Sequence, residues 1–241
     1  MININDLRSY IAALDAAGQL VRIKEPVDLI YELADVAATL VRSGGGAPLF
    51  ERVNGTAWPI FCSGVANQKR AAIALGCDEP DIIDFMEHVL EPQNGLQPVR
   101  EASAAWQENV LTGEQVDVYQ LPIPTHSRGD GGAFITGGVI ISKDPVSGRG
   151  NLSYNRMLRM GPNNFGFNVN EWRHVRQFME SRNDPHAPFP VAIAIGLDPA
   201  VMIAAGVRTE EDELTIAGAI RGTGIPVCRG VTVEVDIPTT A

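Results

Sequence analysis

The chain has 241 residues, 45% of them hydrophobic, and a formal net charge of −10 at pH 7. That length and apolar content can fill one large domain or two small ones, which sets disorder aside, while the excess of acids excludes a sequence-independent grip on nucleic acid. Cys62, Cys77 and Cys228 are odd in number, widely spaced and without a Cys-x-x-Cys pair, so neither a disulfide framework nor a zinc knuckle is expected.

A reducing cytoplasm is the simplest compartment for such thiols. The N-terminal MININDLRSY is polar where a signal peptide needs an apolar core, and no apolar run approaches the roughly 18 residues that span a bilayer. A soluble, cytoplasmic protein with no membrane contact is the expectation.

Asn5 and Asp6 are candidate caps for a first helix, with Leu7, Ile11 and Leu14 at helical spacing and Gly18 as its stop. Leu20, Val21 and Ile23 then suggest a short strand, residues 33–41 a second helix ended by Ser43-Gly44-Gly45-Gly46, and Ile60-Phe61-Cys62 another strand. Residues 69–75 and 81–90 read as helices. The stretch from Glu91 to Ser103 loses periodicity and looks like a connection, which puts a domain boundary near residue 110. Beyond it, residues 137–141, 190–195 and 231–235 read as strands rich in branched residues, and 171–182 and 212–221 as helices. Strands outnumber helices here without strict alternation, so an α+β barrel with appended helices fits better than a doubly wound sheet.

Four features carry chemistry. Leu121-Pro122-Ile123-Pro124-Thr125-His126 precedes Asp130-Gly131-Gly132-Ala133-Phe134-Ile135-Thr136-Gly137-Gly138, where glycines either let the backbone approach a ligand or simply make a tight hairpin. No Gly-x-Gly-x-x-Gly lies between a strand and a helix there, so it is not a dinucleotide fingerprint. In Asn151-Leu152-Ser153-Tyr154-Asn155-Arg156, extended backbone puts Asn151, Ser153 and Asn155 on one face and Tyr154 and Arg156 on the other. Arg156 is suited to a bidentate grip on a carboxylate or phosphate, or else pairs with one of the many surface acids. His174 lies near a helix start, and Glu213 ends the acidic run Glu210-Glu211-Asp212-Glu213, where carboxylates complement a helix dipole. Brought together, an amide oxygen, an imidazole and a carboxylate would suit a divalent metal such as Mn2+.

In this order, Pro-x-Pro-Thr-His, Asp-Gly-Gly-x-x-Ile-Thr-x-Gly, Asn-x-x-x-x-Arg, a helix-start His and Glu-x-x-x-Ala-Gly resemble the UbiD family of decarboxylases. The resemblance implies an α+β fold: a split β-barrel flavin-binding domain over residues 111–241, similar to flavin reductases, preceded by a small α/β region over residues 1–110. It implies prenylated FMN as cofactor. Mn2+, held by Asn151, His174 and Glu213, would bridge to the cofactor phosphate, with K+ as a further ion. Ser153 and Arg156 belong to the implied cofactor site, and the main chain near Tyr154, Asn155, Arg173, Ala205, Gly206 and Val207 would line it. The family often has Gln where this chain has Arg173, a departure that could add a phosphate contact.

The implied reaction is reversible decarboxylation of an aromatic, heteroaromatic or α,β-unsaturated carboxylic acid, with the flavin as electron sink and Arg156 orienting the departing carboxylate. Its partners would be the acid, CO2 and a flavin prenyltransferase as cofactor source, and the full-length form would be a homo-oligomer. Family members continue past a segment like residues 231–238 into a strand bearing the proton-transfer acid and a C-terminal domain. The chain ends at Ala241, so a truncated form with impaired activity is expected. Two alternatives are a non-catalytic flavin-binding subunit and an FMN-dependent reductase.

Overall fold

The computed structural model describes residues 4–184 and 186–241. Helix α1 (Leu7–Ala16) starts at a reciprocal cap: Ser9 N–H donates to the Asp6 carboxylate at 2.7 Å, and Asp6 N–H donates to the Ser9 hydroxyl at 3.1 Å. Gly18 follows with φ +64°, the left-handed turn that lets the chain double back into β1 (Leu20–Ile23). After α2 (Glu32–Arg42) come β2 (Ala47–Phe50) and β3 (Ile60–Phe61), giving a sheet in which β2 pairs parallel with β1 and antiparallel with β3. Pro48 hid β2 from the sequence reading, because a residue without an N–H is unusual inside a sheet. Helices α3 (Gln68–Leu75) and α4 (Ile82–Leu90) follow where expected. Tyr10, Leu14, Ala47 and Ala74 form a buried cluster binding α1, β2 and α3.

The second half begins with β4 (Val99–Arg100), β5 (Phe134–Ile135), β6 (Val139–Lys143) and β7 (Gly150–Tyr154). It continues through β8 (Met157–Gly161), β9 (Asn164–Phe167), α5 (His174–Glu180), β10 (Ala192–Ala194) and α6 (Pro199–Ala204). It closes with α7 (Glu213–Arg221), β11 (Pro226–Arg229) and β12 (Asp236–Pro238). The strands form sheets ordered β10-β6-β7, β5-β8-β9 and β12-β11-β4. The architecture is mixed α+β with small three-stranded sheets, and no closed barrel forms among the described residues.

The β10-β6-β7 sheet positions the site because both of its faces are covered. Val139, Ile141, Leu152 and Ala194 pack with Ala200, Val201 and Ala204 of α6 and with Leu214 and Ala217 of α7. On the other face, Ile140 packs with Met157 and with Val175 of α5. Each fully buried Leu or Ile contributes about 1.5–3 kcal/mol of transfer free energy. The period of two leaves Asn151 and Ser153 on the α5 side.

Two expectations are corrected, and one helix is added. Residues 231–235 are not a strand: Gly230 N–H bonds to Val235 carbonyl at 3.0 Å, closing the turn of a β11-β12 hairpin whose second strand starts at Asp236. The helix expected over 171–182 is the seven-residue α5, too short for an N-terminal anion site of its own. Helix α6 escaped the sequence reading although Asp198 caps it through Ala200 N–H at 2.7 Å and Pro199 occupies its first position. Among the described residues, no helix is long and apolar enough to cross a membrane.

Candidate functional site

Strand β7 lies at the edge of its sheet, so alternate N–H groups along its free side need partners. One is Leu152 N–H, which donates to Glu213 Oε2 at 2.9 Å. The first residue of α7 thus docks against the strand, while Asp212, one residue earlier, caps the helix through Leu214 N–H at 2.9 Å. The Asp212 carboxylate packs directly over Gly150, where a Cβ would collide with it. The sequence Gly-Asn on the strand and Asp-Glu at the helix start therefore form one packed unit.

Across the sheet face, His174 Nδ1 stands 3.1 Å from Asn151 Oδ1. If Nδ1 carries the proton it donates to the amide oxygen, leaving Nε2 with a free lone pair and Oδ1 with a second one. The imidazole is stacked with Phe178, one helical turn on, at 6.1 Å and 12°. His174 Nε2 faces Glu210 Oε1 at 3.5 Å, and Glu210 Oε2 pairs with Arg149 at 3.2 Å. Arg149 also donates to Glu210 carbonyl and lies over the Phe178 ring at 5.5 Å.

Electrostatics separate the three acids. Glu213 is 2% exposed, and burial pushes its carboxyl up to about 7 against the opposing pull of the Leu152 amide. Burial also raises Asp212. Glu210 is instead held below the usual carboxylate value, first by its hydrogen bond from Arg149 and then by His174. Asn151 is 3% exposed, and its Nδ2 is buried without a hydrogen-bond partner, as is Ser142 Oγ on the register-paired position of β6. Buried donors of this kind are uncommon and mark a place where an acceptor belongs. No cluster of three His, Cys, Asp or Glu able to hold a metal exists among the described residues. Any cation here would depend on the Asn151 amide.

The other residues singled out from the sequence are placed differently. Ser153 is buried and accepts from Asn155 Nδ2 at 3.2 Å. Tyr154 donates its hydroxyl to Met202 carbonyl at 3.0 Å, pinning β7 to α6, and burial pushes that phenol up to about 12. Arg156 follows the end of β7, in the two-residue link to the β5-β8-β9 sheet. It is exposed, lies over Phe134 at 5.8 Å and has no ion-pair partner among the described residues. Arg173 is exposed and is the backbone cap of α5. Ala205, Gly206 and Val207 send their N–H groups back to Val201, Ile203 and Ala204, so what they offer a ligand is carbonyl oxygen.

Sequence reading missed Arg149, Phe178 and Glu210, which meet His174 from three separate segments. The one available signal was Arg149 two positions before Asn151. A cleft of about 480 Å³, lined by Asp28, Ile30, Tyr119, Leu121 and Arg159 among others, lies apart from these residues.

Comparison with known proteins bears on the same segments. The family model described as the 3-octaprenyl-4-hydroxybenzoate carboxy-lyase Rift-related domain (UbiD) matches residues 97–241, and that of the corresponding N-terminal domain matches residues 11–89. Among solved structures, an evolved dimeric form of the UbiD-class enzyme HmfF from Pelotomaculum thermopropionicum, in complex with prFMN, is 30% identical with a TM-score of 0.90 over 98% of this chain and 55% of that one. The 3,4-dihydroxybenzoic acid decarboxylase of Klebsiella pneumoniae is 28% identical with a TM-score of 0.89, covering 98% of this chain and 52% of that one. The Enterobacter cloacae 3,4-dihydroxybenzoic acid decarboxylase is 26% identical with a TM-score of 0.86, over 99% and 53% respectively. The chain spans about half the length of the structures it matches.

Proposed function

The chain belongs to the UbiD carboxy-lyase family, and on that premise we propose that it is the flavin- and metal-binding part of a reversible decarboxylase acting on an aromatic, heteroaromatic or α,β-unsaturated carboxylic acid. The observation that supports this reading is the 3.1 Å contact of His174 with Asn151 on β7, with Glu213 bonded to the amide of the following strand residue, Leu152, and the Asn151 amide donor buried and unpaired. These residues fit the group the family implies. An amide oxygen, an imidazole and a buried carboxylate form a mixed O/N set for a divalent ion such as Mn2+, and a cation would relieve the burial of the Glu213 charge. The Asn151 Nδ2 is a donor suited to a phosphate oxygen.

In this reading the β10-β6-β7 and β5-β8-β9 sheets are the two parts of a split β-barrel within residues 111–241, with residues 1–110 as the preceding α/β region. Prenylated FMN, when bound, supplies an electron sink for the departing carboxyl group's electrons. The chain's own residues bind and orient: Asn151, His174 and Glu213 hold the metal, and the carbonyls of Ala205, Gly206 and Val207 suit a K+. The exposed, unpaired guanidinium of Arg156 holds the substrate carboxylate bidentately. No carboxylate pairs with Arg156 among the described residues, so the acid that protonates the product carbon is not assigned to this chain. The whole protein would be a homo-oligomer and would draw its cofactor from a flavin prenyltransferase.

Reconstitution tests the reading. The chain is incubated with prenylated FMN and Mn2+, the flavin spectrum is followed, and the measurement is repeated for Asn151→Ala, His174→Ala and Glu213→Ala. Weakened binding in each is expected, and undiminished binding in all three would overturn the metal site.

A further inference from the structure

We propose that Arg149 is an anion-binding residue of this site and that Glu210 is its internal occupant, a carboxylate that stands where the phosphate of the incoming cofactor docks. The proposal rests on the flavin-binding reading above and extends it to two residues from outside the motifs. Its ground is the geometry around Phe178. That ring carries Arg149 over its face at 5.5 Å and stacks with His174 at 6.1 Å, so one buried aromatic side chain fixes a guanidinium and an imidazole side by side. Glu210 bridges the pair with one oxygen each, Oε2 to Arg149 at 3.2 Å and Oε1 to His174 Nε2 at 3.5 Å. A phosphate presents the same spread of acceptor oxygens with more charge.

The exposures of the partners give the direction of exchange. The Arg149 and His174 side chains are 25% and 17% exposed, whereas the Glu210 side chain is 87% exposed. The Arg149 and His174 side of the cradle is therefore built into the fold, while its anion reaches in from solvent. An ion pair to so exposed a carboxylate is weak and readily replaced. The charge balance agrees: in a chain of net charge −10, an empty basic cradle next to an acidic loop draws in the nearest carboxylate until a stronger anion takes its place. His174 Nε2 is the same atom that a metal would use, so Glu210 must leave for either ligand to bind.

Fluorescence quenching measures the affinity of FMN, with riboflavin as the phosphate-free control, in the presence of Mn2+. Glu210→Gln is expected to tighten FMN binding about 2–5-fold and leave riboflavin unchanged. Arg149→Gln is expected to weaken FMN about tenfold or more, again without effect on riboflavin, and Arg149→Lys to fall between. Unchanged or weaker FMN binding in Glu210→Gln overturns the proposal, as does an equal loss of FMN and riboflavin in Arg149→Gln. Inorganic phosphate followed by 31P line width separates this from failure of the flavin reading. If the wild type binds neither FMN nor Mn2+, that reading falls, and stronger phosphate broadening in Glu210→Gln than in wild type still supports the cradle while equal broadening sinks it.

Discussion

Glu213 accepts a hydrogen bond from the backbone amide of Leu152 at 2.9 Å, joining the first turn of α7 to the open edge of β7 across 61 residues of sequence. The contact satisfies a strand donor and holds a carboxylate against the residue that follows Asn151 on the strand. Structure and site are built from the same bond. A glutamine at 213 retains a side-chain oxygen to accept that amide proton but not the charge. Glu213→Gln is expected to keep its circular dichroism spectrum and lose at least about tenfold in Mn2+ affinity, as measured by electron paramagnetic resonance titration.

Asn151 poses a trade between stability and binding. Its Nδ2 is buried without a partner, so a leucine of similar shape removes an uncompensated desolvation cost. Because leucine also forfeits the contact to His174 Nδ1, Asn151→Leu is expected to melt close to the wild type while Mn2+ binding disappears. A lower melting temperature with binding retained would assign the amide to the fold alone.

Gly150 has no room for a side chain, because the Asp212 carboxylate occupies the space above it. Gly150→Ala is expected to push Asp212 off the α7 cap and cost about 1–3 kcal/mol in urea unfolding. Metal affinity should fall with it, since the displaced segment carries Glu213. A stable variant with unchanged affinity would show that the strand and helix start move independently.

Asp198 caps α6 and pairs with Arg221 in the last turn of α7, including Arg221 Nε to Oδ2 at 3.1 Å, with side chains only 5% and 13% exposed. Removing the acid leaves a nearly buried guanidinium uncompensated. Asp198→Ala is expected to lose about 3–5 kcal/mol, the largest effect among these substitutions, read as a shift of the urea midpoint.

Cys62 supplies a pH test away from the site. Burial pushes its thiol up to about 11 from an ordinary value near 9. A raised thiol favours the protonated folded state, so its stabilising effect is complete below the unfolded value and is lost as pH climbs from about 9 through about 11. Alkylation of Cys62 by iodoacetamide at pH 8 should be slow in the native chain and fast in urea. Rapid native labelling at that residue would contradict its burial.

Much of this was legible along the chain. The Asp6 cap, the Gly18 stop and the branched runs in β6 and β10 are local signals, governed by backbone hydrogen bonds and side-chain periodicity within a few residues, and the ordered motifs pointed to the family. The strand placed at 231–235 failed because branched residues describe a pleated surface only when a partner strand is present, and here Gly230 and Val235 close a turn instead. Which side chains share a site was decided by packing alone. Asn151 and His174 are 23 residues apart and Leu152 and Glu213 61 apart, and they meet because α5 covers one face of the β7 sheet and α7 the other. Arg149 showed only its place two residues before Asn151 and Glu210 only its place in an acidic run, since a guanidinium and a surface acid acquire a role only when a third residue, Phe178, fixes where the charge stands.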